Sequence, residues 1–362
     1  MSEILSDWAS CEQTAAFLSL ASAGQSRPLQ CILMGCHAKI SATAIESMNG
    51  LKITALLRER EILDRVQSAF RERQLPEEIF YWFPSSVRAW AELCRSSEYR
   101  NSNRAIEVLN AAAPDFPKWI TLVDTLCGLG CGEGSKDAIL LQAFKEMTNG
   151  PMAYVGADFS QALLELALEE AKRHVPHASG FKCDLSDDRQ LRDVCQAAKD
   201  ERPGSVIFSV LGNTLGAFDP LQFPRRLRQH LNSKDWFIFD GEIFSEQTLA
   251  GYDNPTNRRF AWGPLTGVGI SEQDGSLEFS TAPAGHGLVS VIKHFLARRD
   301  LRVNIGGEVI AISAGEKLRM SSSIKYASKS ALLGFVEAAG FRIEQHWASS
   351  DGNFVLACAR AI

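Results

Sequence analysis

Several features that would place this chain of 362 residues in a well-defined class are missing from its sequence. No apolar run approaches the roughly 20 residues of a membrane-spanning helix. The first residues, MSEILSDWASC, are acidic where a secretory signal would be basic. The formal net charge of −5 gives no electrostatic reason to expect nucleic acid or an anionic membrane as a partner. We therefore expect a cytosolic protein.

Cysteine is present, but the spacing that would signal a metal site is not. The nine cysteines include no CxxC pair. Cys31 and Cys36-His37 form a CxxxxCH stretch that lacks the second pair of ligands of a structural zinc site. Cys127 and Cys131 fall within a run of glycines. Reduced structural thiols are expected, and no metal is predicted.

The pattern of apolar residues changes twice along the chain. Residues 1 to about 115 look largely helical, with helical spacing over 52–73. From about 117 to 242, five apolar strands alternate with helices, which predicts a doubly wound parallel sheet. The last third reads as strands and hairpins, and RIEQHW with NFVLACA predicts an antiparallel pair at the sheet edge.

The turn after the first strand of this alternating region is rich in glycine. In TLCGLGCGEGSK, glycines stand at positions 128, 130, 132 and 134. A dinucleotide fingerprint would need G-x-G-x-x-G, but the last position falls on Glu133 or Ser135. A carboxylate such as Glu133 is also unfavourable beside a pyrophosphate. The G-x-G-x-G spacing favours S-adenosylmethionine, whose amino-acid end can lie against bare backbone, over a nicotinamide cofactor.

Acidic residues end the next two strands. Asp158 follows the glycine turn at about the offset (~20 residues) at which an acid accepts both ribose hydroxyls of a nucleotide. Asp184 ends the third strand, where its carboxylate could accept the adenine amino group and Leu185 could cover the ring. The order of these three signals supports S-adenosylmethionine binding.

Five motifs, taken in order, resemble those of a known family. They are LGCGEGSK (129–136), ADFS (157–160), FSVLGNTLGAFDP (208–220), GYDN (251–254) and AGEKLRMSSSIKY (314–326). The chain resembles the histidine-specific, S-adenosylmethionine-dependent methyltransferases of ergothioneine biosynthesis. It is also similar to their relatives that N-methylate aromatic amino acids in fungal alkaloid pathways. The likeness covers roughly residues 75–362 and is that of a divergent member.

The resemblance implies an α/β fold, with a Rossmann-like class I methyltransferase sheet and a smaller α+β substrate domain. The implied parts are a mostly helical N-terminal extension (1–70), a helical part of the substrate domain (71–115), the cofactor-binding core (116–242), a substrate-domain insertion (243–326), and a C-terminal helix and hairpin that complete the core sheet (327–362). The residues implied to contact the cofactor are Gly130, Gly132, Gly134, Lys136, Asp158, Phe159, Asp184, Leu185, Gly212 and Asn213.

On the substrate side, the resemblance implies a pocket whose polar anchors are changed. The implied residues are Tyr81, Trp90, Tyr99, Ala217, Tyr252, Ser321 and Ser323, with Tyr252 also holding the substrate amine and taking part in a proton route. Ala217 stands where relatives have an asparagine, and Ser321 where the histidine-specific enzymes have a glutamate. Each lost hydrogen bond to a charged group is worth about 1.5–3 kcal/mol. Histidine is therefore not the expected substrate.

Two further sequence features bear on the site. Gly128 stands where many relatives have an acid, which predicts weaker cofactor binding or a differently closed loop. Glu77-Glu78 and Asp187-Asp188 are adjacent acids whose side chains should diverge, so neither is predicted to be an acid/base pair.

The expected function is S-adenosylmethionine-dependent N-methylation of an amino acid or amine other than histidine. Two alternatives remain open: another alkyl transfer or cyclisation with the same cofactor, and a non-catalytic cofactor-binding or scaffold protein. The expected partner is a small-molecule substrate, and the sequence does not separate a monomer from a homodimer.

Overall fold

A computed structural model describes residues 44–46, 50–120, 123–145 and 151–362 of the chain. Residues 1–43 of the predicted helical extension, with Cys31, Cys36 and His37, lie outside the described residues. None of the helices in the described ranges combines the length and apolar character needed to cross a bilayer.

The strands alternate with helices through the middle of the chain, as predicted. The strands are β1 (Ala44–Glu46), β2 (Lys52–Ala55), β3 (Val123–Leu129), β4 (Ala153–Asp158), β5 (His177–Lys182), β6 (Ser205–Val210), β7 (Trp236–Glu242), β8 (Gly275–Gly285), β9 (Leu288–Ala297), β10 (Leu301–Ile305), β11 (Glu308–Ile312), β12 (Lys317–Tyr326), β13 (Phe341–Ala348) and β14 (Phe354–Ala361).

Helices surround the strands. The α-helices are α1 (Glu59–Glu72), α2 (Pro84–Arg95), α3 (Arg100–Ala112), α4 (Phe116–Trp119), α5 (Ser135–Lys145), α6 (Gln161–Ala171), α7 (Asp188–Glu201), α8 (Gln222–His230), α9 (Thr248–Tyr252), α10 (Pro255–Gly267) and α11 (Lys329–Ala338). Two 3-10 helices, Glu77–Tyr81 and Thr214–Ala217, complete the set within the described residues.

Within the described residues, the central sheet has nine strands in the order β1-β2-β5-β4-β3-β6-β7-β14-β13. Strands β2 to β7 of this sheet pair in parallel, while β14 pairs antiparallel with β7 and β13 with β14. The predicted parallel sheet and its antiparallel edge pair are confirmed. The residues of β4, AYVGAD, are all buried, as is usual for a parallel strand covered by helices on both faces.

The predicted helix over 52–73 is wrong for its first residues. Residues 52–55 form β2, which pairs in parallel with β5. The helix begins only at Glu59. Ile53 and Thr54 are β-branched and suit a strand, and the backbone N–H groups of Leu56 and Leu57 then donate to the Lys182 carbonyl.

A second layer covers the carboxyl ends of the central strands. It contains the antiparallel sheet β12-β9-β8 and the hairpin β10-β11. Their apolar residues share one core with α1, α2 and α10, which includes Phe70, Phe80, Phe260 and Phe295. Since parallel strands end beneath this layer, the space between the two is where a ligand is expected.

Candidate active site

A cavity of about 480 Å³ lies between the two layers, at the carboxyl ends of β3 to β6. The predicted cofactor residues that line it are Gly130, Gly132, Lys136, Asp158, Phe159, Asp184, Leu185, Gly212 and Asn213. The predicted substrate residues that line it are Tyr81, Trp90, Tyr99, Ala217, Tyr252 and Ser323. The structure thus brings the two sets together in one cavity.

Gly134 and Ser321 are not among the residues of the cavity wall. Gly134 has φ of +81°, and a Cβ atom there would lie 2.7 Å from the Cα atom of Ala167. Its bare backbone therefore lets α5 pack against α6. Ser321 is buried in β12, and its hydroxyl oxygen has no hydrogen-bond partner within the described residues.

The glycine turn is built for close approach of a ligand. Gly130 has φ of +71° and Gly132 has φ of +55°, both in the left-handed region that favours glycine. A Cβ atom on Gly130 would lie 2.6 Å from Cγ2 of Thr214. A larger residue would thus be strained by its backbone and would collide with the wall opposite.

Asp158 is held at the end of β4 by backbone donors. The N–H of Gly132 donates to Oδ2 at 2.9 Å, and the N–H of Ser160 donates to Oδ1 at 2.8 Å. Burial raises the pKa of Asp158 to about 6, although these hydrogen bonds lower it. The carboxylate therefore joins the glycine turn to the next helix and still faces the cavity.

Asp184 meets a partner that the sequence did not indicate. Arg65 on α1 donates to Oδ2 of Asp184 at 2.5 Å. The N–H and the hydroxyl of Ser186 donate to Oδ1 at 2.8 and 2.6 Å. The side of the cavity next to Leu185 is therefore closed by a helix from the chain's N-terminal part.

The LGNTLG turn is fixed by Asp240 from the neighbouring strand β7. The N–H groups of Gly212 and Asn213 donate to Asp240 at 2.7 and 2.6 Å. Both residues have positive φ, +78° and +63°. Lys136 packs over Gly212, where a Cβ atom would lie 2.9 Å from its Cε atom. Burial opposes the charge of Lys136, but Glu133 and other acids raise its pKa overall.

Tyr252 belongs to a buried polar network. Its hydroxyl donates to Oε2 of Glu242 at 3.1 Å and accepts from Nδ2 of Asn101 at 2.9 Å. Nζ of Lys325 lies 3.1 Å from the same carboxylate and donates to Ser323 Oγ at 2.9 Å. Burial raises the pKa of Tyr252 well above its ordinary value. Its hydroxyl therefore stays protonated at neutral pH.

Sequence reasoning missed several polar residues of the cavity wall. Glu77, Glu78, Asp137, Asn257 and Lys293 all line it. Glu77 and Glu78, which were not predicted to be an acid/base pair, both line the cavity, and burial raises the pKa of Glu78 to about 7. Asn257 and Lys293 carry no motif. Asn257 stands between Thr256 and Arg258, and Lys293 between Ile292 and His294, so the local sequence gives no sign that either side chain faces inward.

This sheet order, with a glycine turn and strand-end acids around one cavity, defines a class I S-adenosylmethionine-dependent methyltransferase. A sequence profile described as "Histidine-specific methyltransferase, SAM-dependent" matches residues 59–261 and 288–361. The chain belongs to this family, and its cofactor is S-adenosylmethionine.

Two curated fungal proteins are similar to this chain over most of their length. The N-methyltransferase imqF of Aspergillus flavus is 23% identical over 306 residues, which cover 78% of this chain and 80% of that protein. The N-methyltransferase fsqC of Aspergillus fumigatus is 24% identical over 291 residues, which cover 78% of each.

Solved structures are more distant. An S-adenosylmethionine-dependent methyltransferase from Clostridium acetobutylicum aligns over 71% of this chain and 92% of its own, with 11% identity and a TM-score of 0.37. The fold class therefore rests on the strand order and the family match.

The residues of the cavity fit the cofactor. Gly130 and Gly212 offer bare backbone in conformations that would strain other residues. Lys136 and Asp137 place opposite charges near the glycine turn, which suits the zwitterionic amino-acid end of S-adenosylmethionine. Asp158 and Asp184 supply acceptor oxygens further along the strand ends.

Proposed function

We propose that the protein methylates the nitrogen of an amino acid or amine other than histidine. The observation that carries this proposal is the shared cavity, in which the strand-end residues of the cofactor side face an aromatic wall. In that wall the Trp90 ring lies 5.3 Å from Tyr81, 5.6 Å from Tyr99 and 5.5 Å from Phe260, between centroids. The names of imqF and fsqC also support N-methylation.

On this proposal, different residues of the cavity bind each part of the cofactor. Asp158 accepts from the ribose hydroxyls, Leu185 covers the adenine beside Asp184, and Lys136 binds the methionine carboxylate. Asp137 takes the ammonium group, because its buried carboxylate lines the same end of the cavity. When bound, S-adenosylmethionine supplies an electrophilic methyl group.

The residues of the other half of the cavity orient the acceptor. Aromatic faces stabilise a nitrogen that becomes cationic by about 0.5–2 kcal/mol, and they exclude water. Tyr252 positions the acceptor, and its protonated hydroxyl is held by Glu242. We assign the substrate domain to residues 71–115 and 243–326, and the completion of the core sheet to 327–362.

The absence of histidine anchors supports an acceptor other than histidine. Ala217 lines the cavity without an amide, and Ser321 lies outside its wall. Ser323 does line it, but its oxygen already accepts from Asn213 and Lys325 at 3.3 and 2.9 Å. A neutral hydroxyl whose acceptor sites are used cannot replace a glutamate facing an imidazole.

The test is product analysis by mass spectrometry. The purified chain is incubated with S-adenosylmethionine and a panel of amines and amino acids that includes histidine. We expect an acceptor other than histidine to gain a methyl group on nitrogen, with S-adenosylhomocysteine as co-product. Methylthioadenosine as co-product, or methylation of histidine in preference to every other acceptor, would contradict the proposal.

A further inference from the structure

A buried pair of opposite charges stands in the acceptor half of the cavity. Glu77 lies on the 3-10 helix Glu77–Tyr81 and Lys293 lies on β9, and both line the cavity. Oε1 of Glu77 is 3.8 Å from Nζ of Lys293, and the two side chains are 16% and 4% exposed. At that distance the pair attracts but does not form a hydrogen bond.

Each member of this pair retains unused hydrogen-bonding capacity. Oε2 of Glu77 is buried and has no hydrogen-bond partner within the described residues. Nζ of Lys293 lies 5.2 and 5.4 Å from the ring centroids of Phe80 and Phe260, and Glu77 is its ion-pair partner within the described residues. Leaving buried charged groups without hydrogen bonds is costly. Both residues line the cavity, so an acceptor bound there lies beside this pair and can supply further partners.

Two neutral donors in the same wall are in a similar state. Nδ2 of Asn257 and Nε1 of Trp90 are buried without a hydrogen-bond partner in the part of the chain that the structure describes. Both residues line the cavity. Three residues of this wall, Glu77, Trp90 and Asn257, thus each have a buried polar atom without a hydrogen-bond partner within the described residues.

We propose that Glu77 and Lys293 together bind the polar head of the acceptor, in place of the anchor lost at Ala217. The Glu77 carboxylate accepts from an N–H of the acceptor, and Lys293 donates to an anionic oxygen close to that nitrogen. This inference rests on the proposed function and narrows it. The acceptor is an amine that carries a carboxylate next to its nitrogen, and the corresponding bare amine binds poorly.

The charges of the wall support this choice. A bare ammonium group would meet Glu77 and also Lys293, which repels it. An amino-acid head places one charge of each sign on adjacent groups, so each faces its opposite in the pair. Discrimination against the bare amine then arises from an unpaired buried Lys293 as well as from the lost contact.

Calorimetric titration of the protein loaded with S-adenosylhomocysteine tests the inference. The probes are matched pairs: tryptophan and tryptamine, tyrosine and tyramine, phenylalanine and phenethylamine. We expect at least one acid to bind about 10- to 100-fold more tightly than its amine, as for a hydrogen bond between charged groups. Lys293→Met should abolish this preference, while Glu77→Gln should weaken the binding of both the acid and its amine.

A surface pair provides matched controls. Lys317 and Glu278 lie in the same small sheet, 2.8 Å apart with side chains 55% and 44% exposed, and neither lines the cavity. Lys317→Met and Glu278→Gln should leave the preference unchanged. If thermal unfolding shows that Lys293→Met does not fold, Lys293→Gln provides the same test with a neutral polar residue.

Three results would overturn the inference: equal binding of acids and amines, absence of binding by every acid, or a preference that survives loss of the Lys293 charge. A preference for acids without any N-methylated product would instead count against the proposed function alone. The two failures are therefore distinguishable.

Discussion

The carboxylate of Asp137 occupies the space that a side chain on Gly128 would fill. A Cβ atom built on Gly128 would lie 2.1 Å from Oδ2 of Asp137. Tyr154 donates to Oδ2 at 2.7 Å and Ser209 donates to Oδ1 at 2.9 Å, so the carboxylate is held in place. Gly128 brings no side chain to the end of this strand, and the helix α5 supplies a carboxylate at the same point.

A double-mutant cycle tests whether the two positions are coupled. We expect Gly128→Ala to lower the free energy of unfolding by about 1–3 kcal/mol, because the site is already filled. In Gly128→Ala/Asp137→Ala the loss should be smaller than the sum of the single losses, by about 0.5–3 kcal/mol. Urea denaturation measures all four proteins. Strict additivity would show that the positions are independent.

Asp137 should also contribute to cofactor affinity. Removing the charge in Asp137→Asn should weaken binding of S-adenosylhomocysteine by about tenfold or more, as expected for a lost charged hydrogen bond. The matched control is Asp188→Asn, since the Asp188 side chain is 72% exposed and pairs with Arg226. Calorimetry measures the affinity of both variants and of the native chain for S-adenosylhomocysteine. If Asp137→Asn binds as tightly as the native chain, Asp137 does not contact the cofactor.

Cofactor affinity should fall in mild acid. Burial raises the pKa of Asp158 to about 6, and the ionised carboxylate is the form that accepts from two hydroxyls. Because the ligand favours the ionised form, its affinity should be full above pH 7 and decline as the pH drops through about 6. For one proton, the limiting slope is about tenfold per pH unit.

Asp158→Asn should bind more weakly at pH 7 and show a shallower pH dependence. Some dependence should remain, because burial also raises the pKa of Asp137 to about 6. The measurement is the affinity for S-adenosylhomocysteine from pH 5 to pH 8. An affinity of the native chain that does not change over this range would be inconsistent with ribose binding by Asp158.

Two glycines of the same turn should respond differently to alanine. Gly132 and Gly134 both have positive φ, which costs a non-glycine residue about 1 kcal/mol. A Cβ atom on Gly132 meets nothing within 4 Å, whereas one on Gly134 meets the Ala167 backbone at 2.7 Å. Gly134→Ala should therefore be less stable than Gly132→Ala by about 1–3 kcal/mol in urea denaturation. Similar stabilities would mean that α5 and α6 readjust freely.

In the buried network around Tyr252, Lys325 is the cation that lies closest to Glu242, and Arg104 lies further away at 3.8 Å. The Lys325 side chain is fully buried, and its Nζ lies 3.1 Å from Glu242, which is 3% exposed. Lys325→Met should lower the free energy of unfolding by about 3–5 kcal/mol, because it leaves a buried carboxylate without its closest cation. The second substitution Glu242→Gln should recover part of this loss. Lys317→Met is the exposed control and should cost at most about 1 kcal/mol.

The spacing of apolar residues predicts those strands and helices whose structure depends mainly on residues close in sequence. The strand β4 and the helix α6 were predicted because one has a continuous apolar run and the other has helical spacing; the structure adds Ser160 as the cap of α6. The strand β2 was missed because its partner β5 lies far along the chain, and short segments take their structure from tertiary pairing.

The residues of the cavity also divide into those that a sequence motif predicts and those that only the folded chain brings together. Glycine turns and strand-end acids are encoded by residues close in sequence, so Gly130 and Asp158 could be placed from the motif. Glu77 and Lys293 meet only after the 3-10 helix and β9 pack together, and neither has a neighbour in sequence that predicts the pairing. Asp137 places its carboxylate beside Gly128 although the two residues belong to different elements, and a comparison of motif positions cannot reveal this.

The strand β2 has a practical consequence at the edge of the sheet. The family match begins at residue 59, just beyond this strand. A chain shortened to that point would retain the cavity residues but leave β5 with a row of unpaired backbone groups along one side. Such edges pair readily with other molecules. Residues 52–55 therefore cover this edge of β5, and a chain that begins at residue 59 should self-associate more readily in solution than one that keeps β1 and β2.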